Sequence, residues 1–253
     1  MISRAFVMLY SLACYTAGLA ALLYAIGFVG DFVVPKTINS GPVTDWGTTL
    51  AYDLPLLTLF ALQHSVMARQ GFKRWWTRFV PKAAERATYV LAAAAALGLL
   101  YWLWQPQPTT VWQVTNANAA GALTGLYLAG WAIVFISTFL INHFELMGLE
   151  QSFANLRGKE VEPPHFRTPL FYKLVRHPIY TGLLIVFWAT PHMTQGHLLF
   201  ALATTGYIFV GIAFEERDLV SYFGDAYRDY RRTVPMVIPI PRLGRRDKAR
   251  ETA

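Results

Sequence analysis

Residues 5–30 read AFVMLYSLACYTAGLAALLYAIGFVG, 26 residues without a charge. A helix needs about 20 apolar residues to cross a bilayer core, whereas a secretory signal has an apolar core of about 7–15. The stretch is read as a retained membrane span. The rest of the chain has the same character. Of 253 residues, 55% are hydrophobic and 15% charged, against about 25% charged in an ordinary soluble domain. Apolar segments at Thr48–Ala68, Thr88–Trp104, Ala119–Ile141, Ile179–Met193 and His197–Phe214 follow. The expected fold is an all-α integral-membrane helical bundle of about six transmembrane segments. The fifth segment reaches only about 22 Å at 1.5 Å per residue. It is joined to the sixth by "TQG", so the pair is expected to form a tight C-terminal helical hairpin.

The charges orient this bundle. Six Lys and Arg fall between the second and third segments, five between the fourth and fifth, and nine after the sixth. The third loop and the hairpin turn hold none, and 21 of the 22 lie on one face if both termini are cytoplasmic. That partition follows the positive-inside rule, and an inner (cytoplasmic) membrane is expected. The net charge of +7 is accounted for by anionic headgroups at that face, so no nucleic-acid partner is implied. A single cysteine, Cys14, excludes a disulfide framework and any cluster of thiolates, and no metal site is expected. Trp75, Trp76, Trp102, Trp104 and Trp188 are read as interfacial anchors.

Polar groups in a membrane layer are costly and face a cavity or one another. Here they gather near the cytoplasmic ends of four segments: Gln63 and His64 in "LQHSVMAR"; Asn142, His143 and Glu145 in "INHFELMGLEQ"; Arg176 and His177 in "KLVRHPIYTG"; Glu215 and Glu216 in "FEERDL". Such convergence describes a site open to the cytosol. In "RHP", Pro178 occupies the first helical turn, where its missing N–H costs nothing, and pushes His177 out of helical conformation. The free N–H groups of that helix start attract an anion, and Arg176 and His177 add to the attraction. Glu215 and Glu216 suit an ammonium or ribose hydroxyls. S-adenosyl-L-methionine carries all of these groups.

The run "RHPIYTG" followed by "EERDLVSYFGDAYRDYRRTVP" resembles the C-terminal signature of integral-membrane methyltransferases, among them isoprenylcysteine carboxyl methyltransferase and the phospholipid N-methyltransferases. The resemblance implies that Arg176, His177, Pro178, Tyr180, Gly182, Glu215, Glu216 and Leu219 enclose S-adenosyl-L-methionine. "LQHSVMAR" and "NHFELMGLEQ" are similar to the NnrU-like branch of that superfamily, and more closely to the bacterial methanethiol S-methyltransferases. This implies methyl transfer to a small thiol, methanethiol giving dimethyl sulfide. One membrane domain is expected, with the spans and substrate half in residues 5–172, the cofactor-binding hairpin and C-terminal segment in 173–241, and a solvated tail in 242–253.

For the chemistry, the candidate catalytic residues are His143, His64 and Glu145, since a neutral imidazole accepts a proton near neutral pH. His143 is preferred, because Asn142 and Glu145 beside it are placed to orient the ring. Gln63, Asn142 and Tyr230 are candidates for the substrate pocket, with Tyr230 a poor base. Two other readings remain open: a lipid-linked acceptor such as a prenylcysteine carboxylate, and a haem-binding or accessory protein with His64 and His143 as axial ligands. Oligomeric state is not legible.

Overall fold

The computed structural model describes residues 3–161 and 165–240; the expected tail at 242–253 and Pro241 lie outside them. The chain forms α1 (Arg4–Gly30), α2 (Trp46–Ala68), α3 (Gln70–Trp76), α4 (Lys82–Leu103), strand β1 (Thr110–Gln113), α5 (Ala117–Ile141), α6 (His143–Leu146), α7 (Leu149–Leu156), α8 (Pro178–Trp188), β2 (His192–Thr194), α9 (Gln195–Phe223) and α10 (Asp225–Thr233). Several starts carry a side-chain cap. Ser3, Asp45, Asn116 and Thr194 each accept a bond from a first-turn N–H of α1, α2, α5 and α9, the usual work of short oxygen-bearing caps.

Among the described residues, α1, α4, α5 and α9 are long and apolar enough to cross a membrane. Large apolar side chains such as Phe6, Leu9, Leu128 and Phe139 face outward along α1 and α5. Outward apolar surface of this kind is what lipid requires, and the chain is built as a membrane protein. The core lies between the helices, around Phe28, Leu100, Trp104, Trp131, Val186 and Phe200. Helices α5 and α8 meet at glycines. A Cβ on Gly182 would lie 2.6 Å from the Gly130 carbonyl oxygen, and one on Gly130 would lie 2.9 Å from the Gly182 carbonyl oxygen. Absent side chains let the two backbones touch, as in small-residue contacts of membrane helices.

The expected tight hairpin is corrected. Helix α8 has 11 residues, about 16 Å of rise and roughly half a bilayer core. It stops at Trp188, and the chain then runs through Pro191 into β2, which pairs antiparallel with β1. "TQG" is therefore a helix start and not a turn. Thr194 caps α9, while the N–H groups of Gln195 and Gly196 donate to the carbonyls of Thr109 and Gln107. The all-α expectation needs this two-stranded addition. Trp104 is likewise corrected: it is fully buried and donates to the Ile38 carbonyl at 3.1 Å, a core residue instead of an anchor. Trp102 stays 73% exposed.

The connections sort into two ends. At one end the segments after α1, α4 and α8 meet, with Lys36 Nζ donating to Trp102 O at 2.6 Å and Thr194 Oγ1 to Asn39 Oδ1 at 2.6 Å. At the other end lie the start of α1, the α2–α4 and α5–α8 connections and α10. Arg69 pairs there with Asp218 at 3.0 Å, Arg86 Nε donates to Leu146 O at 2.8 Å, and Ser152 donates to Ala83 O at 2.8 Å.

Candidate functional site

The polar residues singled out by sequence lie at this second end, in three separate groups. The first is built where α8 begins and α9 ends. His177, at φ −125 and ψ 66, stands just before Pro178 at the first helical position. Arg176 Nε lies 2.7 Å from Glu216 Oε1, His177 Nε2 lies 3.2 Å from the same oxygen, and Arg231 Nε lies 3.2 Å from Glu216 Oε2. Arg176 Nη1 also donates to the Val234 carbonyl at 2.6 Å, and the N–H groups of Arg176 and His177 donate to Pro235 O and Met236 O. The segment after α10 is thus strapped across the start of α8. Thr181 Oγ1 donates to Val237 O at 2.7 Å, and Tyr230 Oη to Tyr172 O at 2.5 Å, which complete the strap.

This geometry changes several assigned roles. Arg176 and Glu216 are both buried and neutralise each other, so neither presents its charge to a ligand. Glu215 is the open carboxylate. Its side chain is 43% exposed and its Oε2 lies 3.7 Å from His177 Nδ1, with Tyr180 beside it. Gly182 faces Gly130 on α5 and serves helix packing. Pro178 is buried and Leu219 half-buried one turn beyond Glu215. Tyr230 spends its proton on a backbone carbonyl, and burial pushes its phenol up to about 12, which suits a brace and not a base.

The second group lies between α2, α4 and α9. The Tyr89 hydroxyl is 2.9 Å from Nδ1 and 2.8 Å from Nε2 of His64, so it sits against the ring close to both nitrogens. Phe60 stacks on the His64 ring at 5.2 Å and meets the Tyr207 ring at 6.1 Å. Tyr207 in turn bonds Ser65 at 3.2 Å. Tyr89 and Tyr180 both lie within electrostatic reach of Tyr207 and of Glu215, so the two groups are neighbours at this end of the bundle. His64, Tyr180, Tyr207 and Glu215 each keep part of their surface accessible although the helices beside them are packed. Gln63 donates to Met67 Sδ at 3.2 Å, and its buried Oε1 has no partner among the described residues. Sequence reasoning missed Tyr89, Tyr207 and Arg86. The first two are phenols inside otherwise apolar helices, and that was the available signal.

His143 sits elsewhere. Helix α5 ends at Ile141, and Asn142 caps α6 by accepting the Glu145 N–H at 3.2 Å while its amide donates to Glu150. The His143 ring bonds Thr138 Oγ1 at 2.9 Å through Nδ1 and Tyr15 Oη at 3.2 Å through Nε2, and stacks on Phe139 at 4.2 Å. Burial pushes its pKa down, so the ring stays neutral. Thr138 and Tyr15 orient it, in place of the expected Asn142 and Glu145, whose interactions serve the local turn. The candidate catalytic residues are therefore not one cluster: His143 belongs with α1 and α5, and His64 with α2, α4 and α9. Their rings share no contact, and each has its nitrogens engaged by different helices, which is a poor arrangement for paired axial ligands. Among the described residues no group of three or more His, Cys, Asp or Glu is placed to hold a metal ion.

Residues 54–232 match the family model described as NnrU protein. Methanethiol S-methyltransferase 1 of Bradyrhizobium diazoefficiens is 57% identical over 231 residues, covering 91% of this chain and 81% of that protein. Methanethiol S-methyltransferase of Mycobacterium tuberculosis is 53% identical over 238 residues, covering 94% of this chain and 98% of that protein. Nurim of Mus musculus is 33% identical over 180 residues, 68% of each chain. No solved structure matches. The chain belongs to the NnrU family, alongside the bacterial methanethiol S-methyltransferases.

Proposed function

We propose that this protein methylates a small thiol, methanethiol to dimethyl sulfide, with S-adenosyl-L-methionine as donor. The observation that carries the reading is the nearness of two polar groups, His64 with Tyr89 and Glu215 with Tyr180, in a chain more than half identical to proteins named for that reaction. We read them as the two walls of one chamber. The bundle is read as six membrane-embedded helices in one domain, α8 crossing with the help of β2. Both termini and the chamber face the cytosol of a bacterial inner membrane. The gathering of the basic loops at one end supports that orientation.

S-adenosyl-L-methionine, when bound, supplies an electrophilic methyl group on a cationic sulfur. Glu215 is the residue fitted to its ammonium or ribose hydroxyls, since its carboxylate is open while Glu216 is committed to Arg176 and Arg231. His177, Pro178 and Tyr180 form the wall behind Glu215, and Leu219 continues it. On the other side, His64 is the group that takes the thiol proton, in hydrogen-bond reach directly or through one water, with its ring held by Tyr89 and Phe60. With Glu215 and Tyr180 holding the donor and His64 facing the thiol, the donor would supply the methyl group, its carbon–sulfur bond breaking as the bond to the thiolate sulfur forms. Holding the two reactants in line supplies much of the rate. Gln63, with an unengaged buried carbonyl oxygen one residue from His64, suits the thiol pocket.

Membranes incubated with methyl-labelled S-adenosyl-L-methionine and a panel of thiols, amines and prenylcysteines test the proposal. Label in dimethyl sulfide supports it. Label in prenylcysteine with none in any small thiol overturns the substrate while leaving methyl transfer standing.

A further inference from the structure

The segment "NHFELMGLEQ" has no place in the chemistry once His143 is assigned to the α1 side, yet the structure gives it a specific task. It braces the start of α4. Gly148, at φ +86, lies so close to α4 that a Cβ there would come within 2.6 Å of the Ala87 nitrogen. Ser152 donates to Ala83 O. Between these contacts, the Leu146 carbonyl accepts from Arg86 Nε at 2.8 Å. Held at Nε, the Arg86 guanidinium lies 4.7 Å from the centre of the Tyr89 ring, three residues along the same helix face. Tyr89 is the residue whose hydroxyl meets His64.

We propose that Arg86 is the electrostatic residue that makes this site a thiolate site: its fixed positive charge, carried by the brace to the His64–Tyr89 pair, favours the anionic form of a small thiol bound there. The proposal rests on the thiol-methylating reading above and names the residue that reading lacks. A cation at this position favours S⁻ over SH and disfavours a charged imidazolium. The thiol S–H bond breaks, the electron pair stays on sulfur, and the proton passes the His64 ring to water and does not remain on it. The other charged and titratable groups within reach of the pair are Arg69, Tyr180, Tyr207 and Glu215, with Lys73, Glu85 and Asp218 beyond them around Arg69 and Arg86. Arg69 is paired with Asp218, and Glu85 faces Lys73, whereas Arg86 is stacked on the Tyr89 ring itself.

The test is the pH profile of kcat, at saturating thiol, for the full chain in membranes, with methanethiol and with the more acidic trifluoroethanethiol. An opposite charge within about 4–6 Å moves an acid by 1–3 units. Arg86→Met is therefore expected to move the acid limb for methanethiol to higher pH by about one unit or more, about tenfold in rate at a fixed pH on that limb. The deficit should shrink with trifluoroethanethiol, and donor binding by calorimetry should stay as in the parent. Arg86→Lys, which keeps the charge, should restore most of the limb, and Gly148→Ala should shift it in the direction of Arg86→Met by loosening the brace. If Arg86→Met does not fold, Gly148→Ala and Arg86→Lys carry the comparison. A deficit equal at every pH and for both thiols overturns the proposal. A parent protein that methylates no thiol sinks the underlying reading, and an active parent with an unshifted limb in the variants sinks this inference alone.

Discussion

Replacing Glu216 by Ala separates the structural carboxylate of the Glu-Glu pair from the open one. Glu216 is buried between Arg176 Nε at 2.7 Å, His177 Nε2 at 3.2 Å and Arg231 Nε at 3.2 Å, and Arg176 is itself buried. Removing one partner of a buried ion pair leaves the other charge uncompensated and costs about 3–5 kcal/mol. At about 2–4 °C per kcal/mol for a chain of this size, the midpoint should fall by roughly 6–20 °C. Glu215→Ala removes a carboxylate that is 43% exposed and 3.7 Å from His177, so solvent screening holds its effect on stability to about 1 kcal/mol or less, while donor affinity should fall. Cys14, the single cysteine and buried in α1, supplies the assay: a thiol-reactive dye added to detergent-solubilised protein brightens as the bundle opens. The double variant Arg176→Met/Glu216→Leu should regain part of the lost midpoint, because the two buried charges leave together, while the half-exposed Arg231 turns to water. Equal shifts for Glu215→Ala and Glu216→Ala, or no recovery in the double variant, would refute the assignment of the two carboxylates.

His64→Ala is expected to lower turnover of methanethiol at least about 100-fold, the scale of a lost proton acceptor, whereas His143→Ala acts mainly on the thermal midpoint; turnover lost through His143 alone would reverse the choice of base. Because burial pushes His143 below its ordinary pKa, the unfolded chain binds a proton there that the fold does not, so this group weakens the fold progressively as pH falls below about 6.5. The midpoint of the parent should therefore drop between pH 7.5 and 5.5 more than that of His143→Gln, and parallel curves would remove the attribution. Gly182→Ala forces a Cβ to within 2.6 Å of the Gly130 carbonyl oxygen and should destabilise the α5–α8 contact, while Gly206→Ala, with nothing within 4 Å, should raise stability by about 0.5–1 kcal/mol through helix propensity. The reverse order in melting experiments would show that α5 and α8 are free to separate.

Composition and charge spacing alone determined that the chain is a helical membrane protein, because the cost of exposing backbone and charge to hydrocarbon constrains every residue of a span. Motifs alone pointed to the NnrU family, whereas the start of α9 at Thr194 was not legible, because "TQG" reads as a turn until β1 pairs with β2. What the sequence could not determine is which of two adjacent carboxylates is free, since Glu215 and Glu216 differ by a rotation of about 100° around α9 and only the packing of Arg176 and Arg231 against one of them decides it. For the same reason the sequence favoured His143 over His64 on its neighbours in the chain, and only the places taken by α1 and α4 gave each histidine its actual partners. The short α8, its strand-paired exit and the brace that holds Arg86 over Tyr89 all depend on contacts between residues far apart in the chain, and such contacts leave no local pattern to read.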